Sequence, residues 1–321
     1  MTRIFLFYFL GIISATSQIS GCTDAHAKNF NPNATTNDGS CLYNSFKIKP
    51  EYSIRLSDSV KETSGLLFFD NLLWTHNDDH DTTLYGLDTL GEIRKKVVLE
   101  KVINHDWEEI SQDNSFIYIG DFGNNASGNR TDLKILKIDK KTFLEENPII
   151  ETISFSYSDQ TDLFPKKQNS TNFDCEAFIV SKDSIYLFTK QWQSSKTNIY
   201  VLPNQTGNYI AQFKETLDTH GLVTGATYLE DKKLIALCGY SKHGKPFLYL
   251  LYDFKDHDFL SGNKRRIDLQ LSFHQIEGIT TNDGLHYYLT NEALVRKPVL
   301  NVPQQIHYFD LSPVLNSYLH K

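Results

Sequence analysis

Glu108, Glu176 and Glu277 each stand at the head of an apolar run, and each is answered a short way downstream by a second polar cluster at Asp121, Lys190 or Glu292. Brought to one place, three glutamates repel one another unless a cation or protons neutralise them. A hard cation such as Ca2+ prefers carboxylate and amide oxygens. Glu108, Glu176 and Glu277, with Asp121, are therefore candidate metal ligands, and calcium is the candidate cofactor. The same acids have a structural alternative, which is to accept backbone N–H groups and hold neighbouring elements together.

Two denser stretches add candidates. Trp74 to Asp81 sets His76, Asn77 and Asp78 in one polar loop, although the spacing fits no defined metal motif. The run Asp106-Trp107-Glu108-Glu109 is followed by Gly120-Asp121-Phe122-Gly123-Asn124-Asn125 and Arg130. Two acids, a glycine-relieved turn and an arginine could bind an anion through Arg130 and a metal, or form an ion-pair network. His76, Asn77, Asp78, Asn125, Arg130, Lys190 and Glu292 are the candidate binding residues. No Gly-X-Ser-X-Gly elbow, His-Glu-X-X-His helix or glycine-rich phosphate loop is present, which lowers the weight of an enzymatic reading. Arg265-Arg266 and Lys166-Lys167 read as surface charge.

The elements that must position these residues repeat. Ser64, Glu108, Glu176, Thr224 and Glu277 each precede a small or acidic residue and an apolar strand; a turn and a returning strand follow. The turns carry Asp70-Asn71, Asp113-Asn114, Lys182-Asp183, Glu230-Asp231 and Asn282-Asp283-Gly284. The gaps between signatures are 44, 68, 48 and 53 residues, against ~40–50 for one four-stranded propeller blade. An all-β propeller of antiparallel four-stranded sheets follows, with six blades favoured over five because the 68-residue gap has room for an extra hairpin or a long loop. Residues 46–56 are expected to pair with the strand at 306–309 and close the ring. No segment shows helical periodicity, and residues 316–321 read as a tail beyond a propeller spanning 46–315. Hydrophobic residues are 40% of the 321, and 21 Phe and 17 Tyr stand against one Met, a balance that favours strands. In a propeller the paired strand ends place Glu108 near Asp121, Glu176 near Lys190 and Glu277 near Glu292, all at one mouth of the channel.

The N-terminal residues read as an export signal. A short basic start and the apolar run from Ile4 to Ile13 lead to Ala15-Thr16-Ser17, so residues 1–17 form a signal peptide. A second reading, a signal of residues 1–21, takes Ile19-Ser20-Gly21-Cys22 as a lipobox with Cys22 lipidated. In an oxidising compartment Cys22 and Cys41 would instead close a disulfide, which is the preferred reading. Cys175 and Cys238 lie in apolar strand patterns as buried small residues. The net charge of −7 argues against nucleic acid and anionic membrane as partners.

Two resemblances follow. Residues 18–45 form a polar module in which Cys22, Thr23, Asp24, Ala27, Asn29, Phe30, Asn31, Pro32, Ala34, Thr35, Asp38, Gly39, Ser40 and Cys41 match a small GCTD…DGSC repeat of secreted and surface proteins of Bacteroidetes. Asp24, Asn37 and Asp38 could ligate calcium there, or form an Asx-rich turn. Residues 50–312 resemble a family of secreted propellers of Bacteroidetes and other bacteria, related in pattern to SdiA-regulated and to phytase-like or esterase-like six-bladed propellers. The positions that carry this are Glu62, Ser64, Gly65, Leu66, Trp74, His76, Asn77 and Asp78; Asp106, Trp107, Glu108, Ile110, Gly120, Asp121, Gly123, Asn125 and Arg130; Asp174, Glu176, Ala177 and Lys190; Thr224, Gly225 and Ala226; and Glu277, Gly278, Ile279 and Glu292. The resemblance implies a channel calcium, although Thr224 leaves any acid ring incomplete. The expectation is an extracytoplasmic monomer, secreted, periplasmic or at the outer membrane, that binds a small molecule, a glycan or an envelope protein, with membrane contact only through a lipid at Cys22. The alternative is a metal-dependent hydrolase of a phosphoester or lactone at the channel mouth.

Overall fold

The computed structural model describes residues 18–78 and 80–320; the signal-peptide reading of residues 1–17 lies outside them. Among the described residues the chain forms a ring of five four-stranded antiparallel sheets. The first blade runs outward through Thr63–Phe69, Leu72–Asn77, Thr83–Leu87 and Ile93–Val98. The second uses Trp107–Gln112, Phe116–Asp121, Lys134–Asp139 and Ile150–Tyr157. The third uses Cys175–Ser181, Ser184–Thr189, Thr197–Pro203 and Gly207–Leu217. The fourth uses Leu222–Leu229, Leu234–Tyr240, Pro246–Tyr252 and Asn263–Leu269. The fifth takes Ile276–Thr280, His286–Asn291 and Gln305–Asp310 from the C-terminal end of the chain and Tyr52–Arg55 from its other end.

That last pairing, Ile306 against Ile54 and Tyr308 against Tyr52, closes the ring as expected. The propeller stands, and its blade number is five, in place of the favoured six. Residues 158–174 carry no strand, so the 68-residue gap holds one blade and one long loop. The outer strands of the second and third blades pair in parallel, Ile153 against Gly207 through Tyr157 against Ala211. Lys47–Ile48 likewise pairs with the outer strand of the fourth blade. Both pairings cover edges that would otherwise be open to other chains.

The inner strands converge tightly. The residues after the five signatures are Gly65, Glu109, Ala177, Gly225 and Gly278. A Cβ on Gly65 would lie 2.7 Å from the Ile110 nitrogen, one on Gly225 2.6 Å from the Glu277 carbonyl, and one on Gly278 2.9 Å from the Gly65 carbonyl carbon. Four small residues leave an axial gap, and the Glu109 side chain fills it. Glu109 is fully buried, and its Oε2 accepts the Ala226 N–H at 2.6 Å from the fourth blade. Ser64 and Thr224 lock the ring in the other sense: their hydroxyls donate to the Glu108 carbonyl at 2.6 Å and the Ile276 carbonyl at 2.5 Å, each on the next blade.

The N-terminal module is stapled by the Cys22–Cys41 disulfide. The bond occupies the sulfur that a lipid thioether at Cys22 would need, and it suits an oxidising, extracytoplasmic compartment. No described helix is long and apolar enough to cross a membrane. The module docks on the fourth blade. Asp24 Oδ2 accepts from Tyr252 at 2.6 Å and Tyr43 at 2.8 Å, and Asn37 Nδ2 donates to Asp253 and to Asn263, both at 3.0 Å. Asp38 Oδ1 accepts the Ser40 N–H at 3.0 Å in a turn. These three residues thus form Asx turns, one of the two roles read for them, and Asp24 and Asn37 also dock the module, a role not read for them. Arg265 departs from expectation: it is buried, with its guanidinium 4.7 Å over the Tyr43 ring. So does the C-terminus, where Ser312–Leu319 is a helix with Val314 and Leu315 in the core, in place of a plain tail; a shorter helix covers Lys140–Leu144.

Two outcomes test this account. Glu109→Ala leaves the buried Ala226 N–H without its partner, so chemical denaturation should show a loss of about 2 kcal/mol. Replacing Cys22 and Cys41 by Ser opens a loop of sequence separation 19. The loss by chain entropy is about 3 kcal/mol at most, and an equal melting temperature in reducing and oxidising buffer would contradict a formed staple.

Candidate functional site

Each blade's inner hairpin carries a register shift at its start. In four blades the residue left out of the ladder is the signature itself. Pairing steps from Trp107 to Glu109 past Glu108, from Cys175 to Ala177 past Glu176, from Val223 to Gly225 past Thr224, and from Ile276 to Gly278 past Glu277. In the first blade the shift falls just after Ser64. A bulge frees one residue from pairing and re-aims its side chain. The three bulged glutamates point into one mouth of the channel.

There they line a cavity of about 160 Å3 with Ser64, Asp78, Asp106, Asn125, Gln168, Asn169, Lys190, Trp192, Tyr240, Gln275 and Glu292. Glu108, Asp174 and Glu176 offer oxygens that all lie within 4.8 Å of one another, each residue buried. Asp174 is fixed by its surroundings: Oδ1 accepts the Asn124 N–H and Oδ2 the Trp192 indole N–H, both at 2.7 Å. The Lys190 ammonium lies 3.1 Å from Glu176 Oε1, over the rings of Trp192 and Tyr240 at 4.7 and 5.3 Å. Glu277 Oε2 is buried and meets no hydrogen-bond donor. A wider depression of about 860 Å3 at the opposite mouth is lined by hairpin turns such as 113–115 and 230–231, and its carboxylates form no comparable cluster among the described residues.

The donor set suits a hard cation, since it consists of buried carboxylate oxygens backed by side-chain amides. Held so close, the acids cannot all ionise cheaply. Burial, and then the charge of Glu176, pushes Glu108 well above the usual range. Burial raises Glu176 in the same way, against the opposing pull of Lys190. Burial lifts Glu277 to about 8, and burial with the charge of Asp78 lifts Glu292 to about 7. Asp106 rises to about 6 through burial and the neighbouring Asp174.

The remaining candidates divide. Asp78, Asn125, Lys190 and Glu292 line the cavity with Glu108, Glu176 and Glu277. Asp121 does not. Its carboxylate is taken by Arg130 at 2.8 Å and Lys134 at 3.0 Å, and Arg130 also donates to Asp132 and the Gly123 carbonyl. The Asp121–Arg130 pair is thus the ion-pair network of the two readings. His76 is buried outside the cavity with its ring edge-on to Trp107, and burial holds it down at about 4, hence neutral. Asn77 bridges the Ser59 carbonyl and Asp81.

Asp174 and Asp106 were not among the candidate ligands, yet a signal exists: Asp106-Trp107-Glu108 and Asp174-Cys175-Glu176 are the same Asp-X-Glu motif. Trp192, Tyr240 and Gln275 left no comparable trace.

No protein-family model matches the chain, and no curated protein matches it in sequence. Solved structures with a related outline include the computationally designed Ika8 protein, at 10% identity and TM-score 0.36 over 80% of this chain and 98% of that one. A chain of the Mitotic Checkpoint Complex shares 9% identity at TM-score 0.40, over 82% and 95%. A protein provisionally named a 6-phosphogluconolactonase, from Bacteroides uniformis, shares 13% at TM-score 0.32, over 82% and 71%. Scores of this size carry no argument, and the propeller assignment rests on the strand pairing.

The acid mouth should be visible in the pH dependence of stability. With metal chelated, Glu277, Glu292 and Asp106 bind protons in the folded state at pH values where the unfolded chain has released them. Their contribution is complete below the ordinary carboxylate values and is lost as pH rises through about 8. Asp24 and Asp81, held below their ordinary value, act only in more acid solution. His76 and His307, held down at about 4 and about 3 by burial, oppose this trend below the ordinary imidazole value of about 6.5. The melting temperature in EDTA should therefore fall between about pH 6.5 and pH 8, by less in Glu277→Gln; a rise across that window would contradict the site as described.

Proposed function

We propose that the protein is an exported binding propeller of the cell envelope whose acid mouth holds a calcium ion and, through it, a small oxygen-rich ligand. The observation that carries this reading is the buried triad of Glu108, Asp174 and Glu176, with oxygens within 4.8 Å of one another and positions fixed by bulges and by the Asn124 and Trp192 donors. Ca2+ would take these carboxylates at its usual ~2.4 Å and complete its shell from water or ligand oxygens. A cavity of about 160 Å3 falls below the ~300 Å3 of drug-sized sites, so a small molecule or one unit of a glycan suits it better than a protein surface. Asn125, Gln168, Asn169 and Gln275 add neutral donors and acceptors, and Trp192 and Tyr240 add flat apolar faces.

Metal analysis of the purified mature protein, with melting in Ca2+ and in EDTA, tests the cation. One calcium per chain is expected, with a stabilisation of about 2.7 kcal/mol at a hundred times the dissociation constant. The double variant Glu108→Gln, Glu176→Gln should lose both. A metal-free protein whose melting ignores Ca2+ would overturn the reading. Hydrolysis is the second reading: burial and neighbouring charge raise Asp106 to about 6 and Glu292 to about 7 beside the triad, values that suit a general acid or base. Metal-dependent turnover of a phosphoester or lactone, lost in Glu108→Ala, would establish it.

A further inference from the structure

The carboxylates of the mouth are unevenly compensated. Glu108, Asp174 and Glu176 belong to the second and third blades. On the other side of the cavity stand Glu277 and Glu292 of the fifth blade, with Asp78 from the first. Lys190 is the only cation among the described residues that line the cavity; its salt bridge is to Glu176, on the triad side, and its charge reaches Glu277 and Glu292 without bonding them. Trp192 and Tyr240 hold it there. Glu277 lines the cavity and is 7% exposed, and its Oε2 is itself buried without a hydrogen-bond donor. Glu292 Oε1 accepts from the Gln275 side chain at 2.5 Å. A buried carboxylate oxygen left without a donor is costly, and a bound ligand would remove that cost.

We infer that the fifth-blade side of the cavity, Glu277 with Glu292, is a subsite for a primary ammonium group. An ammonium brings three donors and no acceptor to a lining that on this side is mostly acceptors. A second metal ion suits the position less, because among the described residues the clustered oxygens are those of the triad alone. The volume of about 160 Å3 limits the ligand to a small amine or to the amine-bearing end of a longer molecule. An amino sugar and a linear diamine share that chemistry. The inference rests on reading this mouth as a ligand site and not on the calcium.

Calorimetry on the mature protein with glucosamine, glucose and putrescine, each in Ca2+ and in EDTA, tests it. Glucosamine or putrescine should bind, and whichever binds tighter identifies the source as sugar or diamine. Glucose, which lacks the ammonium, should bind much more weakly than glucosamine. Glu277→Gln should weaken the amine by roughly thirtyfold or more, as loss of one partner of a buried charge pair does, while Ca2+ still binds. Glu292→Gln should act in the same direction, and an unchanged melting profile of either variant in Ca2+ shows that it folds. Glucose binding as tightly as glucosamine, binding of neither amine, or an amine affinity unmoved in both folded variants would overturn the subsite and leave the calcium reading in place. Amine binding by a protein that takes up no Ca2+ when Ca2+ is supplied would overturn the calcium reading and leave the subsite.

Discussion

Everything at the mouth depends on how closely five inner strands can approach one axis. Where they meet, backbone lies against backbone, and Gly65, Gly225 and Gly278 have no room for a Cβ. That crowding lies one residue past the signatures, which the bulges lift out of their ladders in four of the five blades. The same local device therefore closes the ring and aims Glu108, Glu176 and Glu277 into the cavity. Glu109 is the counterpart. It takes a position that is small in the other four blades, and its carboxylate crosses the axis to the Ala226 N–H.

Gathering acids in this way works against folding. Desolvation and mutual repulsion raise Glu108, Glu176, Glu277 and Glu292 together. Lys190 relieves the repulsion only in part, one ammonium among many carboxyls. The ring must carry this cost elsewhere, in the dry packing between blades where Phe122, Phe155 and Phe178 interlock and in hydroxyl bonds such as those of Ser64 and Thr224. A site that is destabilising when empty and relieved by a cation is what a binding site needs, because the free energy of relief appears as affinity.

Much of this was legible from residues alone. A polar residue, then a small or acidic one, then an apolar run marked the five inner hairpins, and the segment of residues 46–56 found its partner near Ile306. The blade number was not legible, because a 68-residue interval reads alike as two blades or as one blade and a loop. The lack of any strand in residues 158–174 decides between them. Asp121 was misplaced for a related reason. Its strand register brings it to the right end of the hairpin, but Arg130 and Lys134, a few residues on, fold back and hold its carboxylate away from the cavity. The helix at Ser312–Leu319 is too short for periodicity to announce, and it forms because Val314 and Leu315 find a core already built.

The chain ends fit the same logic. The fifth blade is completed by a strand from the start of the described chain, so ring closure needs residues 52–55 held near the C-terminal strands. The module of residues 18–45 has little core of its own, yet its Asp24 reaches the Tyr252 hydroxyl and its Asn37 reaches Asp253 on the fourth blade. Lys47–Ile48 then adds to that blade's outer edge and leads straight into the closing strand. The disulfide keeps the module compact, the module sits on the fourth blade, and that seat delivers residues 52–55 to the fifth. In this arrangement a small stapled segment is tied by hydrogen bonds to the fourth blade and by a few residues of chain to the strand that closes the ring.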